Sequence, residues 1–173
     1  MKRVLLLIGL LACESDHEHP LPSDVKLRDI VRTHGRELDQ LRAMIGEDAA
    51  LGVVGVEHVG ECWRLSGEWS CNGFHPDDEA AMLAHAGLAV DRYARYRELL
   101  AKVGGLSVSG HNGEAEVAMF SAGIVTSGIG KSLVWTMRAP TPIVDDTDRD
   151  RPVKFAIRYA VAGEHWYIEE MSN

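Results

Sequence analysis

The sequence has no hydrophobic run long enough to cross a membrane. Its longest apolar stretch, from Val4 to Ala12, covers nine residues, whereas a transmembrane helix needs roughly twenty. The sequence also has no excess of basic residues, because 18 lysines and arginines stand against 26 aspartates and glutamates, for a formal net charge of −8. Since an acidic chain is repelled by the phosphates of nucleic acid, we expect no nucleic acid among its ligands.

Short motifs that mark catalytic and cofactor sites are missing. There is no Gly-x-Ser-x-Gly nucleophile motif. The segment 127–132 has the Gly-Lys-Ser end of a phosphate-binding loop, but the glycine required at position 125 is a valine, and strand-like residues follow Lys131 where a helix is required. We interpret this segment as a hairpin loop, and we predict no nucleotide, no cofactor and no catalytic residue.

The acidic segment at 145–150 begins like a calcium-binding loop, with Asp146, Asp148 and Asp150 at alternate positions. Arg151 stands where such a loop needs glycine, and Ile157 stands where it needs glutamate. We therefore interpret the segment as a solvated acidic loop and predict no metal ion there. Its four aspartates form the densest local charge of the chain and are candidate contacts for a basic partner: Asp145, Asp146, Asp148 and Asp150.

Cysteine is scarce, with three residues in the chain. A two-residue turn at Ser66–Gly67 would place Cys62 opposite Cys71 in an antiparallel hairpin, on a non-hydrogen-bonded pair whose Cα atoms are about 4.5 Å apart. This separation suits a disulfide. Two free thiols and a metal site are the alternatives, but two cysteines without a second pair of ligands are weak evidence for zinc. We predict a Cys62–Cys71 disulfide.

The same hairpin carries two tryptophans. Its register places Trp63 and Trp69 on opposite faces, so that one of them can be exposed. An exposed tryptophan is a frequent anchor of protein interfaces, and we take Trp69 as the candidate contact.

The first thirteen residues have the layout of a secretory signal, with Lys2 and Arg3 ahead of the apolar run and small residues after it. The tetrapeptide Leu10-Leu11-Ala12-Cys13 resembles the lipobox of bacterial lipoproteins. The resemblance implies cleavage before Cys13 and attachment of lipid to the Cys13 thiol. The alternative is a cytosolic protein with an apolar first strand, but the basic start and the abrupt polar segment after Cys13 argue against it.

The lipobox resemblance implies three parts: a signal peptide at 1–12, a polar tether at 13–22 and a single domain at 23–173. It also implies a lipid-anchored, periplasm-facing protein of the cell envelope. Because Glu14, and not aspartate, follows the lipidated cysteine, the outer membrane is favoured over the inner one. Loss of Lys2 and Arg3 would take the formal charge from −8 to about −10. An oxidising compartment suits the predicted disulfide.

The domain is predicted to be α+β. An amphipathic helix is expected over 24–46, capped by Ser23 or Asp24, and a second is expected from Asp77–Glu79 to the glycines at 104–105. Strands are expected at 51–59, in the cysteine hairpin, on both sides of Asn112–Gly113, and at 131–137, 153–162 and 165–171. This pattern predicts a twisted antiparallel β-sheet with two amphipathic helices packed against it.

The last two strands are expected to meet at Gly163–Glu164. A two-residue turn there places Val161 opposite Trp166 and Arg158 opposite Glu169. This register sorts apolar pairs onto one face and charged pairs onto the other, as a half-buried sheet requires.

Together these features favour a cell-envelope lipoprotein that binds a protein and is not an enzyme. An immunity or inhibitor protein against a periplasmic toxin or lytic enzyme fits the lipid anchor, the small disulfide-linked domain and the acidity, which favours a basic partner. A periplasmic lipoprotein that binds a small ligand is the alternative, and a hydrolase is the third hypothesis. The expected attachments are the membrane, through the lipid on Cys13, and a basic protein.

Overall fold

The computed structural model describes residues 21–124, 127–149 and 156–172. This part of the chain contains three helices and nine strands. In chain order they are α1 (Asp24–Glu47), β1 (Val53–Gly55), β2 (His58–Val59), β3 (Cys62–Leu65), β4 (Glu68–Cys71), α2 (Glu79–Ala86), α3 (Val90–Val103), β5 (Ser107–His111), β6 (Glu114–Ile124), β7 (Ser127–Trp135), β8 (Ala156–Val161) and β9 (Trp166–Ser172).

The strands form one antiparallel sheet in the order β4-β3-β2-β1-β5-β6-β7-β9-β8. On one face, alternate residues such as Val54, Val108 and Leu133 are fully buried and belong to the same core as the inner sides of the helices. We call the opposite face, which carries Ser109 and Glu116, the open face. The α+β class is confirmed, with three helices in the described residues where two were predicted. None of these helices combines the length and the apolar character that spanning a bilayer requires.

The first helix follows its prediction closely. The Ser23 hydroxyl accepts a hydrogen bond from the Lys26 amide at 3.3 Å and caps the helix. Apolar residues at three- and four-residue spacings along α1 are buried in the core: Leu27, Leu38, Leu41 and Ile45. The predicted helix, 24–46, therefore agrees with α1 except at its C-terminal end, where α1 extends one residue further, to Glu47.

The second predicted helix is divided into α2 and α3. Gly87 has a φ of +72° and its amide donates to the Ala84 carbonyl, which ends α2. A glycine in the left-handed conformation is a common helix terminator. Val90, the first residue of α3 after this division, is exposed.

Two strand predictions also need correction. The single strand expected at 51–59 is two short strands, because the chain turns between Gly55 and His58 and pairs Val54 with Val59. The segment 127–132 is not a hairpin loop but part of β7. It is a strand because β6 and β9 flank it and pair with it on both sides, through Ser121 and Met171 at Gly130.

The cysteine hairpin has the predicted register. Cys62 pairs with Cys71, their Cα atoms are 4.1 Å apart, and their sulfurs form a disulfide. Trp69 lies on the same face as the two cysteines, which the helices cover, and it is only 5% exposed. Trp63 lies on the open face and is 51% exposed. The exposed tryptophan of this hairpin is therefore Trp63 and not the proposed contact Trp69.

The last hairpin differs from its prediction by one residue. The amides of Ala162 and Gly163 both donate to the Trp166 carbonyl, at 3.0 and 3.1 Å. This bulge adds a residue to the connection, so Tyr159 pairs with Glu169, and Arg158 pairs with Glu170. A shift of one residue in the register of a strand moves its side chains to the opposite face of the sheet. Here it buries Arg158 with Glu170 under the helices and places Tyr159 with Glu169 on the open face.

Both outer strands of the sheet are partly covered. Beside β8, the Val144 amide donates to the Tyr159 carbonyl at 2.8 Å, and the Tyr159 amide donates to the Pro142 carbonyl at 3.1 Å. At the end of β4, Cys71 and Phe74 exchange two backbone hydrogen bonds of 2.8 and 2.7 Å.

Candidate functional site: an acidic pocket on the open face

Three glutamates line a pocket of about 320 Å³ on the open face. Glu114 and Glu116 come from alternate positions on β6, and Glu169 comes from β9. The segment 138–140, which follows β7, forms a wall of the pocket. Because side chains at alternate strand positions share a face, the three carboxylates point to the same side of the sheet.

Two buried hydroxyls hold the carboxylates of β6 in place. The Ser132 hydroxyl donates to Glu116 Oε1 at 2.6 Å, and the Thr136 hydroxyl donates to Glu114 Oε1 at 2.8 Å. Both hydroxyl-bearing residues lie on or directly after β7 and are buried. A carboxylate has about four acceptor positions, so each glutamate can still accept further hydrogen bonds from a ligand.

The environment of Glu169 disfavours its negative charge. Burial raises the pKa of Glu169, a hydrogen bond from Tyr159 partly offsets this, and the nearby charges of Glu116 and Glu114 raise the pKa further. Burial and the hydrogen bond to Glu169 in turn raise the pKa of Tyr159 to about 12. The pocket therefore favours either a proton on Glu169 or a cation beside it.

None of the described cationic side chains forms an ion pair with these carboxylates. No lysine, arginine or histidine among them lies within 4.0 Å of the oxygens of Glu114, Glu116 or Glu169. Arg138 and His111 also line the pocket, but both are exposed and neither forms an ion pair with the three glutamates. The arrangement can thus accept hydrogen bonds and positive charge from a bound group.

The loop that walls the pocket is anchored on the other face of the sheet by a buried ionic cluster. Lys131 is fully buried, and its ammonium lies 2.7 Å from both Asp24 Oδ1 and Asp148 Oδ1 and 3.7 Å from Glu170 Oε2. Burial lowers the pKa of Lys131, but hydrogen bonds to Asp148 and Asp24 outweigh it, so that the pKa is raised. Lys131 therefore stays charged.

Asp24 joins the start of α1 to the same loop. The amide and the hydroxyl of Thr147 donate to its carboxylate at 2.7 and 2.6 Å, and the Asp24 amide donates to Asp148 Oδ2 at 2.8 Å. Burial raises the pKa of Asp24, but its hydrogen bonds to Lys131 and Thr147 outweigh that effect and lower the pKa overall. Arg158 adds a hydrogen bond to the Thr147 carbonyl at 3.2 Å.

These contacts correct the interpretation of the acidic segment. Asp148 is bound by Lys131 and is only partly solvated, with 33% of its side chain exposed. Asp146 accepts the Asp148 amide at 2.8 Å, and Asp145 is exposed. Asp150 lies outside the described residues, as does the proposed lipidation site Cys13. Of the four aspartates, the structure therefore leaves Asp145 as the exposed candidate contact among those described.

The carboxylates of Asp24, Asp146 and Asp148 are close enough together to suit a metal ion. The Lys131 ammonium, however, already contacts two of the three. A lysine ammonium in that position supplies the positive charge that a metal ion would bring, and it occupies the carboxylate oxygens that would bind the metal ion.

Sequence reasoning did not find the pocket. The pair Glu114 and Glu116, directly after the Asn112–Gly113 turn, was a usable signal, because alternate polar positions mark the exposed face of a strand. Glu169 and Tyr159 had no such signal, because the predicted register of the last hairpin separated them.

The chain was compared with models of protein families, with curated proteins and with solved structures, and none of the three comparisons found a match.

Proposed function

We propose that this chain is a non-enzymatic, lipid-anchored binding module of the bacterial cell envelope, and that its acidic pocket receives a basic side chain of a protein partner. The observation that carries the proposal is the group of three pocket carboxylates, Glu114, Glu116 and Glu169, with which no described cation forms an ion pair. A partner that supplies the cation relieves the repulsion among them.

Recognition of this kind needs a rigid surface with matching charge. The glutamates stand on β6 and β9, the two strands that flank β7 in a nine-stranded sheet. The surface is therefore formed before the partner arrives, which reduces the entropy lost on binding. The formal charge of −8 also attracts a basic protein over long range and speeds its encounter. These properties suit an immunity or inhibitor protein that must capture a basic toxin or lytic enzyme.

The N-terminal segment supports the proposed location. A basic start, a short apolar run and the lipobox-like Leu10–Cys13 precede the domain. The proposed tether at 13–22 has ten residues and spans at most about 35 Å when extended. Such a tether would keep the domain close to the outer membrane while leaving its open face free for a partner in the periplasm.

A small cationic ligand is the second candidate. A volume of about 320 Å³ lies at the lower end of the range for small-molecule sites, and polar groups converge on it. A ligand of this kind would be carried by the purified protein or would bind it without a protein partner.

The experiment combines capture with pocket variants. The immobilised full chain is incubated with envelope extract at low salt, and retained proteins are eluted with salt. We expect one stoichiometric basic protein, which the Glu116→Gln/Glu169→Gln variant no longer retains. The matched control is Glu164→Gln, which removes an exposed carboxylate on the β8–β9 connection.

Retention of no basic protein, or equal retention by the pocket variant, would contradict the proposal. Native mass spectrometry of the purified protein separates the two candidates, because a bound cationic small molecule that disappears in the pocket variant would favour the small-ligand function instead.

A further inference from the structure

The cysteine hairpin carries an apolar patch at the other end of the open face. Trp63 is 51% exposed and Leu65 is 70% exposed, at alternate positions on β3. His58 is the cross-strand partner of Trp63, and its ring stacks on the indole with the centroids 4.1 Å and the planes 14° apart. We call Trp63, Leu65 and His58 the tryptophan patch.

The patch is held rigid before any partner binds. The Cys62–Cys71 disulfide joins the two strands next to Trp63. His58 Nε2 lies 2.9 Å from the Gly60 carbonyl oxygen, which fixes the ring under the indole. An aromatic side chain that is already ordered loses little freedom on binding, and tryptophans of this kind are over-represented among the residues that dominate binding energy.

Acidic residues surround the patch. Glu57, Glu61 and Glu68 are exposed, and none of them forms an ion pair with a described cation. Glu61 accepts a hydrogen bond from Asn72, and Glu68 is the cross-strand partner of Leu65. An apolar centre with a charged rim is the usual anatomy of a protein interface. This rim attracts a basic protein, and it repels anionic lipid headgroups and a second copy of this acidic chain.

We propose that the tryptophan patch is the apolar anchor for the basic protein partner, with Trp63 inserted into an apolar site of the partner and Glu57, Glu61 and Glu68 facing its basic residues. The identity of the partner rests on the proposed function, whereas the place of contact does not. The patch and Glu169 are separated by six strand spacings, roughly 29 Å. The two contact regions can therefore be tested by separate variants.

Site-specific crosslinking tests the patch. The full chain, with its N-terminal segment, carries a benzophenone amino acid in place of Leu65 and is irradiated in the cells that produce it. The matched control carries the same group in place of Val90, which is exposed on α3. We expect a crosslink to one basic protein at position 65, with a yield at least tenfold lower at position 90.

Two further variants, made in the position-65 background, test the chemistry. Trp63→Ala should lower the crosslinking yield at least tenfold, whereas Val25→Ala, which truncates an exposed apolar residue on α1, should leave it unchanged. Replacing Glu57, Glu61 and Glu68 by glutamine should lower the yield severalfold at low salt. Thermal unfolding of each purified variant separates loss of contact from loss of fold, and His58→Ala provides a second variant should Trp63→Ala unfold.

The outcomes separate this proposal from the proposed function. Equal yields at positions 65 and 90, or products with lipid, with an acidic protein or with a second copy, overturn the patch proposal. If the Glu116→Gln/Glu169→Gln variant loses the basic protein while Trp63→Ala retains it, the proposed function stands and the patch proposal falls. If no basic protein is crosslinked or retained, both fall.

Discussion

The ammonium of Lys131 lies 2.7 Å from the carboxylate of Asp24, and neither side chain is exposed to solvent. Lys131 stands on β7, an interior strand of the sheet, and Asp24 begins α1. Through Thr147 and Asp148 the same pair holds the loop whose earlier part walls the acidic pocket. The fold thus links the start of its first helix to the shape of the candidate site.

Removing one charge of this pair should be costly. Asp24→Asn leaves the Lys131 charge buried with one carboxylate fewer, and breaking a buried ion pair typically costs about 3–5 kcal/mol. We expect a loss of that size in the free energy of unfolding, measured by urea denaturation. Asp29→Asn is the control, because Asp29 pairs with Arg32 on the surface of the same helix, and its loss should cost under about 0.5 kcal/mol. Equal losses for the two variants would show that the buried pair contributes little.

The stability contributed by Glu169 should depend on pH. Its pKa in the fold is raised above the usual 4.5, so the fold binds this proton more tightly than the unfolded chain does. Ionisation above the folded pKa therefore costs stability, and the cost is absent below about pH 4.5. Glu169→Gln should raise the melting temperature at pH 7, and the difference from the original protein should vanish as the pH falls to 4.5. Glu164→Gln, on an exposed side chain, should show no such convergence.

The disulfide should stabilise the hairpin end of the sheet. Cys62 and Cys71 close a loop with a sequence separation of nine, and the chain-entropy model gives about 2–3 kcal/mol for so short a loop. The Cys62→Ser/Cys71→Ser variant should lose that amount in urea denaturation. Adding a reductant should destabilise the original protein to a similar extent and leave the double variant unchanged. A variant as stable as the original protein would show that packing alone holds the hairpin.

A pair of glycines tests the helix boundary. Gly87 has a φ of +72°, so Gly87→Ala should destabilise the protein by about 1 kcal/mol through backbone strain. Gly46 lies inside α1, with open space around the position of a Cβ atom. Gly46→Ala should therefore stabilise by about 0.5–1 kcal/mol. Thermal unfolding should show a lower melting temperature for Gly87→Ala and a higher one for Gly46→Ala. Shifts of the same sign in both variants would contradict the assignment of Gly87 to a helix end and of Gly46 to a helix interior.

Features with a strong local signal were predictable from the sequence. The three- and four-residue spacing of apolar residues in α1 and the Ser66–Gly67 turn that aligns Cys62 with Cys71 both led to the observed structure. Their determinants lie within about two turns of helix or one hairpin. Local patterns of this kind can be recognised in a sequence without knowledge of the fold.

The candidate site depends on longer-range relationships. A bulge at Ala162–Gly163 shifts the last hairpin by one residue and places Tyr159 beside Glu169. Neither Ala162 nor Gly163 reveals the bulge on its own. The two-residue turn that we predicted also sorts apolar pairs onto one face of the sheet and charged pairs onto the other, so the sequence pattern did not exclude it. Burial of Lys131 was likewise invisible, because its partners Asp24 and Asp148 come from segments far apart in the chain.

The covered outer strands have a consequence for how this protein behaves at high concentration. An uncovered strand at the border of a sheet is a template on which other chains can add, and this is a common route to aggregation. Here the hydrogen bonds that Val144 and Pro142 exchange with Tyr159 occupy groups at one border. At the other border, the exchange between Cys71 and Phe74 closes the end of a four-residue strand. At these points the backbone N–H and C=O groups are already hydrogen-bonded within the molecule, so a neighbouring molecule cannot pair with them. This disfavours fibrous self-assembly of the protein.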